Sequence, residues 1–219
     1  MTKPIIMEIT IGFIPQRKYN LITYCFGTSG GCLDSFFLDE ELNPNDQRYF
    51  LSDRHSTKKK LFGSEVIGTF EEIKRLGNNN SCFIYQCGSV LNHKTRNKWF
   101  EEGIMSGAKP KSLISKNAYI SKSAIIGEGS IIYPGAVVMR DVILGKNTIV
   151  LPNTVINHGT KVGDYCIINS CCTINGDVEV GSLCYIGSNT SIRESTIIKN
   201  KITIGMNSMI ICDLIKEGV

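Results

Sequence analysis

Aliphatic residues recur at every sixth position along the second half of the chain. From Ile114 onward, seventeen consecutive positions of this series hold only isoleucine, leucine or valine. They are Ile114, Ile120, Ile126, Ile132, Val138, Leu144, Val150, Ile156, Val162, Ile168, Ile174, Val180, Ile186, Ile192, Ile198, Ile204 and Ile210. Neither an amphipathic helix nor a simple alternating strand produces a period of six. The pattern therefore predicts a repeat architecture in which each six-residue unit contributes one inward side chain.

Two further columns indicate a coil of eighteen residues. Four positions after each aliphatic residue, the side chain is mostly alanine, serine, threonine or cysteine. Glycines spaced by eighteen directly follow the aliphatic residue at Gly127, Gly145, Gly163 and Gly181. This spacing predicts a triangular parallel β-helix with three short strands per coil, in which glycine supplies the backbone freedom of one corner. The spacing does not give the hand of the coil, although crossovers between parallel strands are normally right-handed.

The first half of the chain alternates short apolar runs with helical patterns. Strands are predicted at 21–26, 48–51 and 81–86, and helices over about 33–42, 69–77 and 92–105. This order predicts an α/β, Rossmann-like half domain with a three-stranded parallel βαβαβα core. The expected units are an N-terminal extension (1–20), the α/β domain (21–112) and the β-helix (113–219).

A glycine-rich loop joins the first predicted strand to the first helix. It reads Gly27-Thr-Ser-Gly-Gly-Cys32 and exposes backbone N–H groups at a helix N-terminus, where phosphate groups bind favourably. The loop lacks the full dinucleotide-binding motif, so a plain tight turn is the alternative interpretation. Three strands are half of a dinucleotide fold, and NAD binding is therefore not expected.

Composition narrows the class of protein. The 219 residues carry 24 Lys and Arg against 20 Asp and Glu, a net charge of +4, which is low for a nucleic-acid-binding protein. The chain has no apolar run long enough for a transmembrane helix and no charge order typical of a secretory signal. The nine cysteines form no Cys-x-x-Cys pair. We therefore expect reduced thiols, a cytoplasmic protein and neither nucleic acid nor membrane as a partner.

Several short motifs, in their order and spacing, resemble one family of enzymes. They are Phe26-Gly-Thr-Ser-Gly-Gly31, Phe50-Leu-Ser-Asp53, Gly63-Ser-Glu-Val-Ile-Gly68, Phe83-Ile-Tyr-Gln-Cys-Gly88, Leu113-Ile-Ser-Lys-Asn-Ala-Tyr-Ile-Ser121 and Asn153-Thr-Val-Ile-Asn-His-Gly159, followed by Val162-Gly-Asp-Tyr165. With the six-residue repeat, they are similar to the NeuD/PglD-type sugar acetyltransferases, which are hexapeptide-repeat acyltransferases. The resemblance implies a left-handed β-helix, a homotrimer, and acetyl-CoA bound between neighbouring β-helices without a metal.

The resemblance also implies the binding residues. The N-terminal domain would hold a nucleotide sugar. Its phosphates or sugar would contact Ser29, Gly30 and Gly31, and its nucleotide side would be lined by Ser52, Asp53 and Gly88. The acetyl-CoA groove would run along Ile167, Gly176, Ser188 and Met206, mostly through their backbone.

Among the three histidines, His158 is the candidate general base. Acetyl transfer to an amine needs a base, because an ammonium group has no lone pair, and imidazole suits that role. His55 and His93 are interpreted as surface residues, whereas His158 follows the inward Ile156 by two residues and faces outward near a corner. Position alone also fits an ordinary corner histidine. The family resemblance, through Ile-Asn-His, implies that the base lies here.

The match around His158 is incomplete. The family usually has an acidic residue directly after this histidine and a second histidine nine residues further on, where this chain has Gly159 and Ile167. In a coil of eighteen residues, Asp141 and Asp177 lie one coil below and above Gly159, about 5 Å away. Either carboxylate is therefore a candidate partner for His158. Solvated corner residues are the alternative.

Two remaining features complete the predicted chemistry. Gly176 stacks on His158 from the next coil, and its N–H is the candidate donor to the oxyanion formed from the thioester. The inward cysteines of the repeat are interpreted as core residues rather than as an acyl-enzyme nucleophile.

The expected function is acetyl-CoA-dependent N-acetylation of a nucleotide-linked amino sugar, a UDP- or dTDP-4-amino-4,6-dideoxyhexose. The alternatives are O-acetylation of sialic acid and a non-catalytic sugar-binding or scaffold protein.

Overall fold

The N-terminal domain is built on a six-stranded sheet flanked by helices. The structure is a computed structural model that describes residues 21–55, 57–86 and 93–215. The strands are β1 (Ile22–Phe26), β2 (Gln47–Leu51), β3 (Lys60–Leu61), β4 (Ser64–Gly68), β5 (Ser81–Tyr85) and β6 (Lys109–Pro110). The helices are α1 (Gly31–Leu42), α2 (Ile73–Leu76), which follows a 3₁₀ turn at Phe70–Glu72, and α3 (His93–Met105). The expected N-terminal extension, 1–20, lies outside the described residues.

The three predicted strands form the middle of this sheet. The sheet order is β3-β4-β2-β1-β5-β6, and only β3 runs antiparallel to its neighbour. Phe26 lies opposite Leu51 and Tyr85, so the carboxyl ends of β1, β2 and β5 meet at one edge. The sequence analysis missed β3, β4 and β6. The strand order reverses between β1 and β5, which is where open α/β sheets bind ligands.

The second domain is a left-handed parallel β-helix with three flat faces. Face 1 consists of β7 (Leu113–Ile114), β10 (Ile131–Ile132), β13 (Ile149–Val150), β16 (Ile167–Ile168), β19 (Tyr185–Ile186) and β22 (Thr203–Ile204). Face 2 consists of β8 (Tyr119–Ile120), β11 (Val137–Val138), β14 (Val155–Ile156), β17 (Thr173–Ile174), β20 (Ser191–Ile192) and β23 (Met209–Ile210). Face 3 consists of β9 (Ile125–Ile126), β12 (Ile143–Leu144), β15 (Lys161–Val162), β18 (Glu179–Val180) and β21 (Ile197–Ile198).

The predicted coil of eighteen residues is confirmed. Strands pair with partners eighteen residues away, as Ile132 does with Val150 and Val150 with Ile168. The second residue of each strand points inward, and these three side chains are completely buried. Each buried side chain of this size stabilises the fold by about 1.5–3 kcal/mol. The stacked aliphatic column therefore holds the coils together.

The glycine column has a different function from the one expected. Gly145 and Gly163 do not have a positive φ. The left-handed conformation occurs two residues later, at Asn147 (47°), Tyr165 (60°) and Leu183 (64°). A Cβ atom on Gly145 would lie 2.5 Å from the carbonyl carbon of Gly163 in the next coil. Glycine is needed here because the backbones of successive coils approach closely, not because the corner requires a positive φ.

The N-terminal domain covers face 1. The outward residues of β7, β10, β13 and β16 are at most 2% exposed. They form one apolar core with Phe36 of α1 and Phe50 of β2. Because the two domains share this core, these four strands of face 1 are not open to another molecule.

Helix α3 is fixed to the corner between faces 3 and 1. Arg96, which is 1% exposed, donates hydrogen bonds to the backbone oxygen of Tyr165 and to Oδ1 of Asn147, both at 3.1 Å. Glu101 accepts hydrogen bonds from Lys146 at 2.8 Å and from the Tyr165 hydroxyl. Burial and this hydrogen bond raise the pKa of Tyr165 to about 12.

In the described part of the chain, no helix is long and apolar enough to cross a membrane.

Candidate active site

His158 lies at the corner between faces 2 and 3, two residues after the buried Ile156 that ends β14. Its side chain is 49% exposed, so the imidazole faces outward as predicted. The ring lies against the backbone of Gly176 in the next coil. A Cβ atom on Gly176 would come within 2.4 Å of His158 Cε1, which is closer than real contacts allow. Glycine at position 176 therefore provides the surface on which the imidazole rests.

The structure distinguishes the two candidate carboxylates. Asp177 Oδ2 lies 3.9 Å from His158 Nδ1, and the Asp177 side chain is 66% exposed. Asp141 instead forms an ion pair with Arg140 at 2.8 Å. Asp177 is therefore the carboxylate beside the imidazole. With Nδ1 on the side of Asp177, Nε2 is the ring atom left to face a substrate.

The N–H of Gly176 is available to a ligand. Within the described residues, it donates to no protein acceptor. Pro134 and Pro152 occupy equivalent positions of the six-residue repeat. Since proline has no N–H, the ladder between coils does not use a donor at this position. The predicted oxyanion donor thus lies next to the imidazole with its N–H unused.

A shallow cleft of about 430 Å³ surrounds these groups. Its lining residues are Asn157, His158, Asn175, Gly176, Asp177, Glu194 and Ser195. The Asn175 amide donates to the backbone oxygen of Ile192 at 2.7 Å, which fixes its orientation. The sequence analysis missed Asn157, Asn175 and Glu194. The eighteen-residue spacing could have found them, because Glu194 shares a column with His158 and Gly176, and Asn157 and Asn175 share the neighbouring column.

Two of the positions predicted to contact the acyl donor, Ser188 and Met206, lie on a different edge of the β-helix from His158. Ser188 is half-buried and Met206 is 74% exposed, both at the corner between faces 1 and 2. Ile167 belongs to β16 on face 1 and is 2% exposed beneath the N-terminal domain. The Ile167 side chain therefore does not line an open groove, and the expected contact through its backbone stays a prediction.

The inward cysteines are core residues, as predicted. Cys166, Cys172 and Cys184 are completely buried. Their thiols donate to backbone oxygens of the next coil at 3.1 Å, in the same way as the threonines of this column. Burial raises the pKa of the Cys172 thiol, which disfavours the thiolate that an acyl-enzyme would need.

The glycine loop after β1 leaves backbone N–H groups open at the N-terminus of α1. Ser29 and Gly30 are exposed, and Gly30 begins the helix without a side-chain cap. Gly30 has a positive φ of 52°. A Cβ atom on Gly31 would lie 2.6 Å from Gln86 Nε2. The loop therefore needs glycine for its conformation and for its contact with the end of β5.

The residues after β2 support this loop. Ser52 is 2% exposed, and its hydroxyl lies 3.1 Å from that of Thr28. His55, interpreted from the sequence as a surface residue, is half-buried, and its Nδ1 lies 2.7 Å from the Thr28 hydroxyl. Ser52 therefore supports the loop through Thr28 and has little exposed surface for contact with a nucleotide. Asp53 is exposed, and its Oδ1 accepts a hydrogen bond from the Phe70 N–H. Gly88 lies outside the described residues.

The described residues contain no group of three or more His, Cys, Asp or Glu side chains arranged to hold a metal ion.

The β-helix and its six-residue repeat are the features that this chain shares with the hexapeptide-repeat acyltransferases. The family described as "Bacterial transferase hexapeptide (six repeats)" matches residues 141–176. No curated protein sequence matches the chain significantly.

Solved structures give the more specific likeness. The acetyltransferase domain of PglB from Neisseria gonorrhoeae FA1090 superposes with a TM-score of 0.83 and 25% identity, over 90% of this chain and 94% of that chain. The same domain in complex with acetyl coenzyme A superposes with a TM-score of 0.82 and 26% identity, over 90% and 93% of the two chains. These similarities confirm the predicted resemblance to the NeuD/PglD-type sugar acetyltransferases.

A more distant structure shares the fold. A mutant of perosamine N-acetyltransferase from Caulobacter crescentus, in complex with CoA and GDP-perosamine, has a TM-score of 0.78 and 17% identity, over 89% of this chain and 90% of that chain. At this identity, the likeness shows the fold alone.

Proposed function

We propose that the protein transfers the acetyl group of acetyl-CoA to the amine of a nucleotide-linked amino sugar, a UDP- or dTDP-4-amino-4,6-dideoxyhexose. The observation that carries the proposal is the corner at His158. It combines an outward imidazole resting on Gly176, an unused N–H beside it, and a carboxylate 3.9 Å from Nδ1. A general base and an oxyanion donor are the two groups that amine acetylation requires of a protein.

His158 and Gly176 divide the chemistry between them. His158 Nε2 accepts the proton of the sugar ammonium, and the freed nitrogen lone pair attacks the thioester carbonyl. The Gly176 N–H donates to the oxygen as it becomes negative. When the tetrahedral intermediate collapses, the carbon–sulfur bond breaks and the sulfur leaves as the thiolate of CoA. His158 passes the first proton to water. The nitrogen still carries two protons after its attack, and it gives up one of them through His158 to the departing sulfur.

The proposed site is completed by a neighbouring subunit in a homotrimer. His158 lies on one edge of face 2, and Ser188 and Met206 lie along the opposite edge. Six residue-to-residue steps lead from Pro152 to His158 across this face, a distance of up to about 20 Å. A single flat face offers no opposing wall for a CoA chain. Placing the donor edge of one subunit against the His158 edge of the next forms a groove that contains both sets of groups.

The N-terminal glycine loop binds the nucleotide sugar in this proposal. The loop lies at the carboxyl ends of β1 and β5, where the strand order reverses. Its open N–H groups at the start of α1 favour the negative charge of a diphosphate. Ser29, Gly30 and Gly31 are the contacting residues, with Thr28, Ser52 and His55 holding the loop.

The test is a CoA-release assay with defined sugars. The parent protein should release thiol from acetyl-CoA only with a nucleotide 4-amino-4,6-dideoxyhexose, with the product gaining one acetyl group by mass. His158→Ala should lower turnover by about 10²–10⁴, as expected for a lost general base. Its affinity for the nucleotide sugar should stay close to that of the parent, because the nucleotide binds in the other domain. Activity within a few-fold of the parent would exclude His158 as the base, and transfer to sialic acid instead would refute the amine acceptor.

A further inference from the structure

A second cleft, of about 460 Å³, lies between helix α1 and the corner that joins faces 1 and 2. Its lining residues are Asp34, Phe37, Leu38 and Glu41 from α1, and Tyr133, Pro134, Leu151 and Pro152 from the β-helix. Most of this lining is apolar, and the two carboxylates are its charged groups. The volume falls within the range of sites that bind small molecules.

One end of this cleft begins at the glycine loop. Asp34 lies in the first turn of α1, three residues after Gly31. The Tyr133 hydroxyl donates to Gln86 Oε1, and the amide nitrogen of Gln86 faces Gly31. Tyr133 and Gln86 thus form a continuous wall from the loop to the cleft. A ligand with its phosphates at the loop can extend directly into the cleft.

The other end of the cleft reaches the acyl-donor edge. Pro134 and Pro152 belong to the same corner column as Ser188 and Met206. Pro152 and His158 lie in the same coil, on opposite sides of face 2. In the proposed trimer, with the β-helices side by side around a threefold axis, the neighbouring His158 stands at the height of Pro152. The cleft therefore lies between the phosphate loop, the donor edge and the base.

We propose that this cleft holds the sugar ring of the acceptor, and that Asp34 and Glu41 select a sugar bearing an ammonium group. The inference rests on the proposed function and deepens it. The apolar surface of Phe37 and Leu151 suits a sugar with a deoxygenated carbon, since a hydroxyl there would lack a hydrogen-bond partner. The carboxylates suit a cationic substrate over its product, because acetylation turns the ammonium group into a neutral amide.

Asp34 and Glu41 act in binding and not in proton removal. The ammonium proton passes to His158 Nε2, and neither carboxylate takes part in that transfer. Negative charge near the amine favours its protonated form, which helps capture and slightly opposes deprotonation. Loss of these carboxylates should therefore raise the KM for the amino sugar, while kcat stays unchanged or rises slightly.

The test compares substrate and product binding in an Asp34→Asn/Glu41→Gln double variant. Dissociation constants are measured by calorimetry for a nucleotide 4-amino-4,6-dideoxyhexose and for its N-acetylated form. The double variant should lose about tenfold in affinity for the amine, the scale of a partly screened ion pair, and less than twofold for the amide. Glu40→Gln is the matched control, because Glu40 is an exposed acid of the same helix outside the cleft. It should leave both constants unchanged.

The outcomes separate the inference from the function on which it rests. If the parent acetylates the amino sugar but the double variant binds both ligands as the parent does, the cleft is not the acceptor site. If the variant loses affinity for amine and amide equally, the residues have a structural role and charge selection is overturned. If the parent transfers no acetyl group to any nucleotide amino sugar, the proposed function fails, and the inference fails with it.

Discussion

His158 owes its orientation to residues in the coil above rather than to its own strand. Gly176 leaves room for the ring, and Asp177 lies on its Nδ1 side. Gly159, where the family usually has an acid, has a φ of +69°, and a Cβ atom there would lie 2.0 Å from Asp177 Oδ1. An acidic side chain at 159 and Asp177 in its present place are therefore incompatible. The carboxylate beside His158 is therefore that of Asp177 in the next coil, and not that of an acidic residue at position 159.

Gly176→Ala tests whether the resting place of the ring matters. The added methyl group would overlap His158 Cε1, so the half-exposed imidazole must swing away. A displacement of about 1 Å at a catalytic group lowers turnover by about 100-fold. The melting temperature should change little, because the ring is free to move into solvent. A steady-state assay together with thermal unfolding measures both, and unchanged turnover would show that this stacking is incidental.

Asp177→Asn tests the carboxylate beside Nδ1. Asparagine tolerates the left-handed backbone at this position (φ 57°), so the corner keeps its shape. An exposed pair at 3.9 Å is screened by water and contributes about 0.2–1 kcal/mol, which corresponds to a loss of turnover of about 1.4-fold to fivefold. The loss should shrink in high salt. Asp141→Asn is the matched control, and an equal loss in both variants would contradict the assignment.

At the scale of elements, the β-helix was predictable because its signal repeats seventeen times, whereas the short strands of the first domain give no such signal. β3 and β4 form a hairpin around Phe62 and Gly63, which both have positive φ (50° and 79°). Asn-Gly is the usual sequence of such a turn, and phenylalanine gives no hint of it. β6 contains Pro110, which a strand tolerates only at a sheet edge. These strands depend on their neighbours for formation.

Gly145→Ala tests the close stacking of coils. The new Cβ would lie 2.5 Å from the backbone of Asp164 and Gly163, neither of which can move without disturbing the ladder. Overpacking of this kind lowers the free energy of unfolding by about 1–3 kcal/mol. Gly205→Ala is the matched control, since a Cβ atom there meets only Ser208 Oγ, at 3.8 Å. Chemical denaturation measures the free energy of unfolding of both variants. Equal stabilities would contradict the conclusion that glycine is needed for the close approach of successive coils.

At the scale of the whole molecule, the candidate site could be predicted only in part. Once the family resemblance points to His158, counting along eighteen-residue columns gives Gly176 and the two candidates Asp141 and Asp177. Two other features could not be predicted in this way: the contact between His55 and the glycine loop, and the burial of Ile167. Both depend on how parts of the chain distant in sequence pack together. The packing of the two domains covers most of face 1 and leaves the edges of face 2 open. If the base lies on one open edge and the donor positions on the other, as we propose, the site requires a neighbouring subunit.

Mixed trimers test this arrangement directly. Ser29→Glu places a negative charge on the exposed loop where the phosphates bind, and His158→Ala removes the base. Each variant alone should be nearly inactive while remaining trimeric by light scattering. When the two are unfolded and refolded together in equal amounts, about one quarter of the interfaces pair an intact loop with an intact histidine. Activity should therefore return to about one quarter of the parent value. If the loop and histidine of one chain formed the site, every site in the mixture would lack one group, and no activity would return.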